Sequence, residues 1–186
     1  MSAIQRSAGP LAPRSALLSP CGHYRYELRR TWDPRLPVLR WMMLNPSTAD
    51  GRLDDATVRR CIAFARAWGF GGIVIHNLFA LRATKPVELR RHPDPVGTWS
   101  DAFLLAVPPT LLTIAAWGTN GGLLGRDRRV LSLLARRGVR LHHLGPLTNA
   151  GHPRHPLYVR ADARPSPFEP LHRAPSTARS RCSSPA

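Results

Sequence analysis

The sequence predicts an α/β protein, a three-layer αβα sandwich around a mostly parallel four-stranded sheet with one N-terminal edge strand. Short apolar runs alternate with segments of helical periodicity along the chain. This alternation favours parallel strands joined by right-handed crossovers, with helices on both faces of the sheet. Polar residues follow each apolar run. Because ligands of open α/β sheets bind at the carboxyl ends of the strands, we expect one site there.

The first half of the predicted domain contains two strands and a long helix. Residues 24–31 alternate like an edge strand, and residues 38–44 form an apolar run typical of a buried strand. Apolar residues then recur at helical spacing. Asp54 or Asp55 is suited to cap the start of this helix, and Gly69 is suited to end it.

The second half continues the alternation. The β-branched run at residues 73–75 is too short for a helix and predicts a strand. The later predicted elements are short helices at residues 84–91 and 98–107, a strand at 111–116, a long helix at 123–137 and a strand at 139–144.

Composition predicts one domain with disordered ends. Residues 1–20 and 163–186 are rich in Pro, Ser and Ala without apolar periodicity, which predicts disorder and leaves residues 21–162 as a single α/β domain. Three widely spaced cysteines argue against a disulfide framework and favour a reducing compartment. No apolar run approaches the ~20 residues of a membrane helix. We therefore expect a cytoplasmic monomer with no membrane partner.

The net charge is strongly positive. Lys and Arg number 27 against 11 Asp and Glu, which gives a formal charge of +16, and Lys85 is the sole lysine. A basic surface of this kind is suited to nucleic acid or a nucleotide. Codon bias in a GC-rich genome would also replace lysine by arginine. Both explanations of the arginine excess stay open at this point.

The segment at residues 44–50, Leu-Asn-Pro-Ser-Thr-Ala-Asp, follows a predicted buried strand. Pro46 favours an extended conformation at Asn45, so we expect the Asn45 amide to be free to hold a substrate or a water. Ser47 is either a ligand contact or a turn residue. Asp50 is a candidate proton acceptor, because an amide cannot take a proton as a carboxylate can.

Two more strand ends carry candidate ligand contacts. Asn77 follows the strand at residues 73–75, and Phe79 and Arg82 come shortly after it. An amide, an apolar side chain and an arginine suit a planar ligand that carries a phosphate. A strand-end asparagine can instead satisfy local backbone groups. Trp117 follows the predicted strand at residues 111–116 in the same way.

Residues 151–158, Gly-His-Pro-Arg-His-Pro-Leu-Tyr, form a stiff loop after the last predicted strand, because two X-Pro steps favour extended backbone. Histidine transfers protons near neutral pH, and Arg154 can bind a phosphate with two parallel hydrogen bonds. The competing interpretation is a rigid surface loop. A metal site is disfavoured because Pro153 keeps His152 and His155 from sharing a helical face. We predict no metal and no cofactor.

Taken together, these segments resemble a bacterial and phage family known only as a domain of unknown function, over residues 24–162. The order of the strand-end motifs is also similar to that of the uracil-DNA glycosylase superfamily. The four segments that carry this second likeness are Asn45-Pro46, Asn77, Trp117-Gly118 and His155-Pro156-Leu157.

The glycosylase resemblance implies a fold and a reaction, the hydrolysis of an N-glycosidic bond in nucleic acid or a nucleotide. It implies that Asn45 positions water, that Asn77 reads a base edge and that His155 stabilises the departing base. It also implies that Leu157 wedges beside a flipped base. Phe79 is the candidate for stacking on that base.

Two questions stay open at this stage. The extra His-Pro-Arg before His155 leaves either His152 or His155 as the functional histidine. The chain is alternatively a non-catalytic nucleic-acid or nucleotide-binding module, or a hydrolase of free nucleotides.

Overall fold

A computed structural model of the protein describes residues 5–6, 13–47, 53–108 and 111–169, and its class is α/β. The strands are β1 (Gln5–Arg6), β2 (Arg14–Leu18), β3 (Arg25–Thr31), β4 (Val38–Met43), β5 (Gly72–Asn77), β6 (Thr113–Ala115), β7 (Leu141–Leu144) and β8 (Pro165–Pro167). The α-helices are α1 (Ala56–Ala67), α2 (Pro86–Arg91), α3 (Ser100–Leu105) and α4 (Arg126–Arg136). Thr119–Gly125 and Pro156–Tyr158 form 3-10 helices.

The predicted α/β class is confirmed, but the sheet is larger than predicted and mixed. Its order over the described residues is β1-β2-β3-β5-β4-β6-β7-β8. Strand β4 pairs in parallel with β5 and β6, and β6 pairs in parallel with β7. The flanking strands pair antiparallel. The prediction of four strands is therefore wrong, and β3, predicted to lie at an edge, lies between β2 and β5.

Both segments predicted to be disordered contribute strands to the sheet, β1 and β2 from residues 1–20 and β8 from residues 163–186. Strand β2 lies within residues 1–20 and buries Ala16 and Leu17. Strand β8 lies within residues 163–186 and is followed by Phe168, whose ring meets Trp117 edge-on at 5.8 Å between centroids. In both segments a few apolar residues within the strand or next to it are buried, namely Ala16 and Leu17 in β2 and Phe168 after β8, although the segment as a whole lacks apolar periodicity.

The helices cover the sheet on two faces. Alternate residues of a strand point to opposite faces, and Leu39, Trp41 and Met43 of β4 pack with helix α1. Met42 lies on the other face, in a cluster that contains buried leucines of α2, α3 and α4. None of the helices in the described part of the chain is long and apolar enough to cross a membrane.

Local signals in the sequence explain where helices begin. Asp55 caps α1, since its Oδ1 accepts a hydrogen bond from the Val58 amide at 2.8 Å. Helix α4 starts at Arg126, later than the predicted residue 123. Leu124 and Gly125, the last two residues of the 3-10 helix Thr119–Gly125, have φ of 53° and 64°, a left-handed conformation that interrupts the helical backbone before α4.

Candidate functional site

A cavity of about 810 Å³ opens at the carboxyl ends of β4, β5 and β6. It lies beside the start of α1 and the loop that follows β7. The expectation that four residues from different strand ends share one site agrees with its lining, which includes Asn45, Asn77, Trp117 and His155. The parallel pairing of β4 with β5 and β6 places these strand ends at one edge of the sheet.

Asn77 is the most unusual polar group in the cavity wall. It ends β5, is 4% exposed and lines the cavity together with Ile75. Within the described part of the chain, neither Nδ2 nor Oδ1 of its side chain has a hydrogen-bond partner. A buried amide atom without a partner lowers the free energy of unfolding by about 1–3 kcal/mol. Asn77 therefore destabilises the fold unless a ligand or water in the cavity supplies its partners.

The Asn45 amide is already engaged, contrary to the expectation that it would be free. Its Nδ2 donates to the backbone oxygens of Pro46 at 2.9 Å and Ala83 at 2.6 Å. These two acceptors fix the orientation of the amide, because a flipped side chain would direct its oxygen at both carbonyls. The nitrogen therefore holds the loop in place, and Oδ1 is the atom of this side chain that can serve a ligand or a water.

His155 lines the cavity and has a defined tautomer. Its Nδ1 accepts a hydrogen bond from the Leu157 amide at 3.4 Å, so a neutral imidazole carries its proton on Nε2. Burial lowers the pKa of His155, and the negative charge of Asp55 opposes that shift. The lowered pKa favours the neutral ring at physiological pH, so His155 is suited to donate a hydrogen bond as a neutral group.

His152 lies in a different environment. It lines a second cavity beside α4, where its Nδ1 is 3.7 Å from Oδ2 of Asp127. Its backbone amide donates to Thr148 Oγ1 at 3.1 Å. Of the two candidate histidines, His155 is the one that shares a cavity with Asn45 and Asn77.

The Trp-Gly strand end and the His-Pro loop are joined directly. The Gly118 amide donates to the Pro153 oxygen at 2.9 Å, and Gly118 has φ of 71°, a conformation that favours glycine. A Cβ on Gly121 would lie 2.0 Å from the Trp117 ring, so glycine is required there for close packing. These contacts hold Trp117 and His155 on one wall of the cavity.

Other predicted site residues divide between the cavity and the surrounding structure. Ser47 and Arg154 line the cavity. Pro46 is buried beside it, and its oxygen accepts bonds from Asn45 Nδ2 and the Ala83 amide. Leu157 is 45% exposed on the 3-10 helix after His155. Asp50 lies outside the described residues.

Phe79 and Arg82 serve the fold rather than the cavity. Phe79 is fully buried in the cluster under α2, α3 and α4, so its ring is not available to stack on a ligand. Arg82 Nη1 donates to the Gly22 oxygen at 3.2 Å, which ties this loop to the turn between β2 and β3. The pattern of an amide followed by an apolar residue and an arginine therefore predicted two contacts that the structure does not support.

Asp55 is one of several cavity residues that the sequence interpretation missed. Its identity as a helix cap is correct, but it also lines the cavity and is close enough to His155 to influence that residue's pKa. Its position immediately before α1, which packs on the strand ends, was the available signal. Among the described residues no group of three His, Cys, Asp or Glu side chains is arranged to hold a metal ion.

Comparison with known proteins places the chain in a family. No curated protein and no solved structure matches it. A family model matches residues 25–157, which include β3 to β7, all four α-helices and the cavity residues Asn45, Asn77, Trp117 and His155. The chain belongs to this family, which is described as "Protein of unknown function (DUF1643)".

Proposed function

We propose that the cavity binds a nucleobase and that the protein hydrolyses the N-glycosidic bond of that base in nucleic acid or a nucleotide. The observation that carries this proposal is the Asn77 amide, buried at the strand end with its donor and its acceptor both unpaired among the described residues. An amide pairs with the edge of a base through one donor and one acceptor. The cavity volume of about 810 Å³ is in the range of small-molecule sites.

His155 is the second part of the proposal. A base that leaves with the bonding electron pair is an anion, and a neutral imidazole with its proton on Nε2 can donate a hydrogen bond to it. The Leu157 amide selects that tautomer, and the lowered pKa keeps the ring uncharged. This role matches the one that the glycosylase resemblance implies for His155.

Asn45 and Arg154 complete the proposed site. Asn45 Oδ1 accepts a hydrogen bond from the attacking water, while Nδ2 remains bound to the loop. Arg154 lines the cavity, and its buried Nε has no partner among the described residues, so its guanidinium is suited to a phosphate of the substrate. The positive net charge suits nucleic acid as the partner.

A binding module without catalysis is the second candidate. The observation that favours it is the chemistry of Asn45, because a carboxamide cannot take a proton from water and its nitrogen is already bound to the Pro46 and Ala83 oxygens. Such a module would use Asn77 to read a base and would leave the glycosidic bond intact.

The direct experiment is an excision assay with oligonucleotides that contain uracil, hypoxanthine or mismatched thymine. Abasic sites are detected as strand breaks after alkaline treatment. We expect excision by the wild-type protein, loss of excision in His155→Ala and Asn77→Ala, and retention in the matched variant His152→Ala. Retention of oligonucleotides on a gel without any abasic site would favour the binding module. The absence of both excision and retention would reject both functions.

A further inference from the structure

Asp54 and Asp55 are neighbours with different surroundings. Asp54 is paired twice, since Oδ1 lies 2.7 Å from Arg30 Nε and Oδ2 lies 2.9 Å from Arg14 Nη2. Asp55 has no salt bridge within the described residues, although 27 basic residues are present in the chain. Its Oδ1 is used by the Val58 amide, and the residue lines the cavity. The charge of Asp54 is therefore satisfied within the fold, while that of Asp55 faces the proposed site.

We propose that Asp55 is a catalytic residue, the proton acceptor for the water that attacks the glycosidic carbon. This inference rests on the proposed function. It supplies what Asn45 lacks, because Asn45 Oδ1 can orient a water but cannot accept its proton. The capping of α1 does not by itself require an aspartate at this position, since asparagine or serine would cap the helix equally well.

A second and independent observation points to a ligand in the same cavity. The Asn77 amide is buried, lines the cavity and has no partner within the described residues. The charge of Asp55 also acts on His155, the proposed donor to the leaving base. One cavity thus contains a group suited to the base edge, a donor for the leaving base and a carboxylate.

The proposed step is balanced in atoms and electrons. The water oxygen forms a bond to the anomeric carbon as the bond from that carbon to the base nitrogen breaks, and the electron pair of that bond stays on the base. One water proton passes to the Asp55 carboxylate, and His155 donates a hydrogen bond from Nε2 to the anionic base. A carboxylate also stabilises the positive charge that develops on the sugar in an oxocarbenium-like transition state. No oxidant or reductant is needed.

The test is a single-turnover excision assay with Asp55→Asn, which keeps an oxygen for the Val58 amide. Loss of general-base catalysis typically slows a reaction by about 10²–10⁴-fold, so we expect a rate loss of at least ~100-fold. The affinity for the intact oligonucleotide and the thermal midpoint of unfolding should be unchanged. If Asp55 had only a structural role, its substitution would lower the thermal midpoint. Asp55→Ser, a second capping residue, should be as slow and as stable as Asp55→Asn.

Two control variants make the result specific. Asp54→Asn removes a carboxylate one position away and should keep the wild-type rate, although it loses pairing with Arg30 and Arg14. Asp50→Asn tests the alternative acceptor predicted from the sequence. A wild-type rate in Asp55→Asn, or inactivation by Asp50→Asn alone, would overturn the role of Asp55 and leave the proposed function standing. Absence of excision by the wild-type protein on every substrate would overturn both.

Discussion

His76 and Asn77 are consecutive residues of β5, both are buried, and they face opposite sides of the sheet. Asn77 faces the cavity, and its amide has no partner among the described residues. His76 faces the side covered by α3, where its Nε2 lies 3.5 Å from Glu27 Oε2. Arg40 is buried on that side and donates to the Leu104 oxygen of α3 at 2.6 Å.

Both ring nitrogens of His76 also lack a hydrogen-bond partner among the described residues, so the two side chains differ in their access to a ligand and not in their internal pairing. On the proposed function, Asn77 is kept for a ligand, whereas His76 is enclosed by the fold. His76 and Arg40 have no exposed surface, so the partners that they can use are those within the protein. Burial lowers the pKa of His76 to about 4, and Arg40 adds to that shift while Glu27 opposes it. Burial also lowers the pKa of Arg40 to about 10, with Glu27 opposing. Asn77 lacks hydrogen-bond partners among the described residues, but it borders a cavity in which a ligand or a water can supply them.

The largest expected effect on stability comes from removing the negative charge of Glu27 beside His76 and Arg40. Glu27→Gln removes the carboxylate that faces His76 and compensates Arg40, and leaving a buried cation unpaired costs about 3–5 kcal/mol. We expect a loss of about 3 kcal/mol in the free energy of unfolding, measured by urea denaturation. Glu169→Gln makes the same chemical change at an exposed residue and should have little effect. Equal stability of the two variants would contradict this account of the cluster.

The second prediction is the pH dependence of stability. Because the pKa of His76 is lower in the folded protein than the ordinary value of 6.5, the unfolded chain binds this proton first as pH falls. His76 should therefore reduce stability progressively from about pH 6.5 to pH 4, by ~3 kcal/mol in total. His76→Gln should remove that part of the slope. The free energy of unfolding would be measured by urea denaturation at each pH. An identical pH profile for wild type and variant would show that His76 is not responsible for this loss of stability.

The third prediction concerns the other side of the sheet. Asn77→Ala removes an unpaired buried amide and adds space to an existing cavity instead of creating a closed void. We expect the free energy of unfolding to stay the same or rise by about 1 kcal/mol, while binding of a nucleobase is lost. His76→Ala should instead lower stability by about 2 kcal/mol, because its side chain is enclosed. A loss of stability in Asn77→Ala equal to that in His76→Ala would remove the distinction.

The smallest effect on stability is expected at the cavity mouth. Leu157 is 45% exposed, so Leu157→Ala should change stability by less than ~0.5 kcal/mol. If Leu157 acts as a wedge, affinity for duplex oligonucleotides should fall about threefold to tenfold relative to single strands, measured by fluorescence anisotropy. Leu36→Ala is the matched control, since Leu36 is 43% exposed. Equal losses on duplex and single strand would exclude the wedge.

The sequence was most informative where a rule links chain position to geometry. Asn45, Asn77 and Trp117 follow strands that pair in parallel, so their proximity could be predicted without knowing the packing. The state of the Asn45 amide could not be predicted, because its partner Ala83 is distant in sequence. Phe79 was assigned to the site from its position after a strand end. That position does not determine which way a side chain points, and the Phe79 ring points into the buried cluster. Strand β8 was missed because it is a three-residue strand at one edge of the sheet, and β2 was missed because its buried residues lie in a segment rich in Pro, Ser and Ala.

The most direct test of ligand binding by Asn77 is to observe His76 and Asn77 in the same protein during ligand titration. Uracil, hypoxanthine and thymine, and the corresponding deoxynucleotides, would be added while NMR follows the Asn77 side-chain amide and the His76 imidazole. We expect saturable shifts of the Asn77 amide resonances with one of these ligands and little change at His76. Unchanged Asn77 resonances with every ligand, in a protein that remains folded, would contradict this expectation.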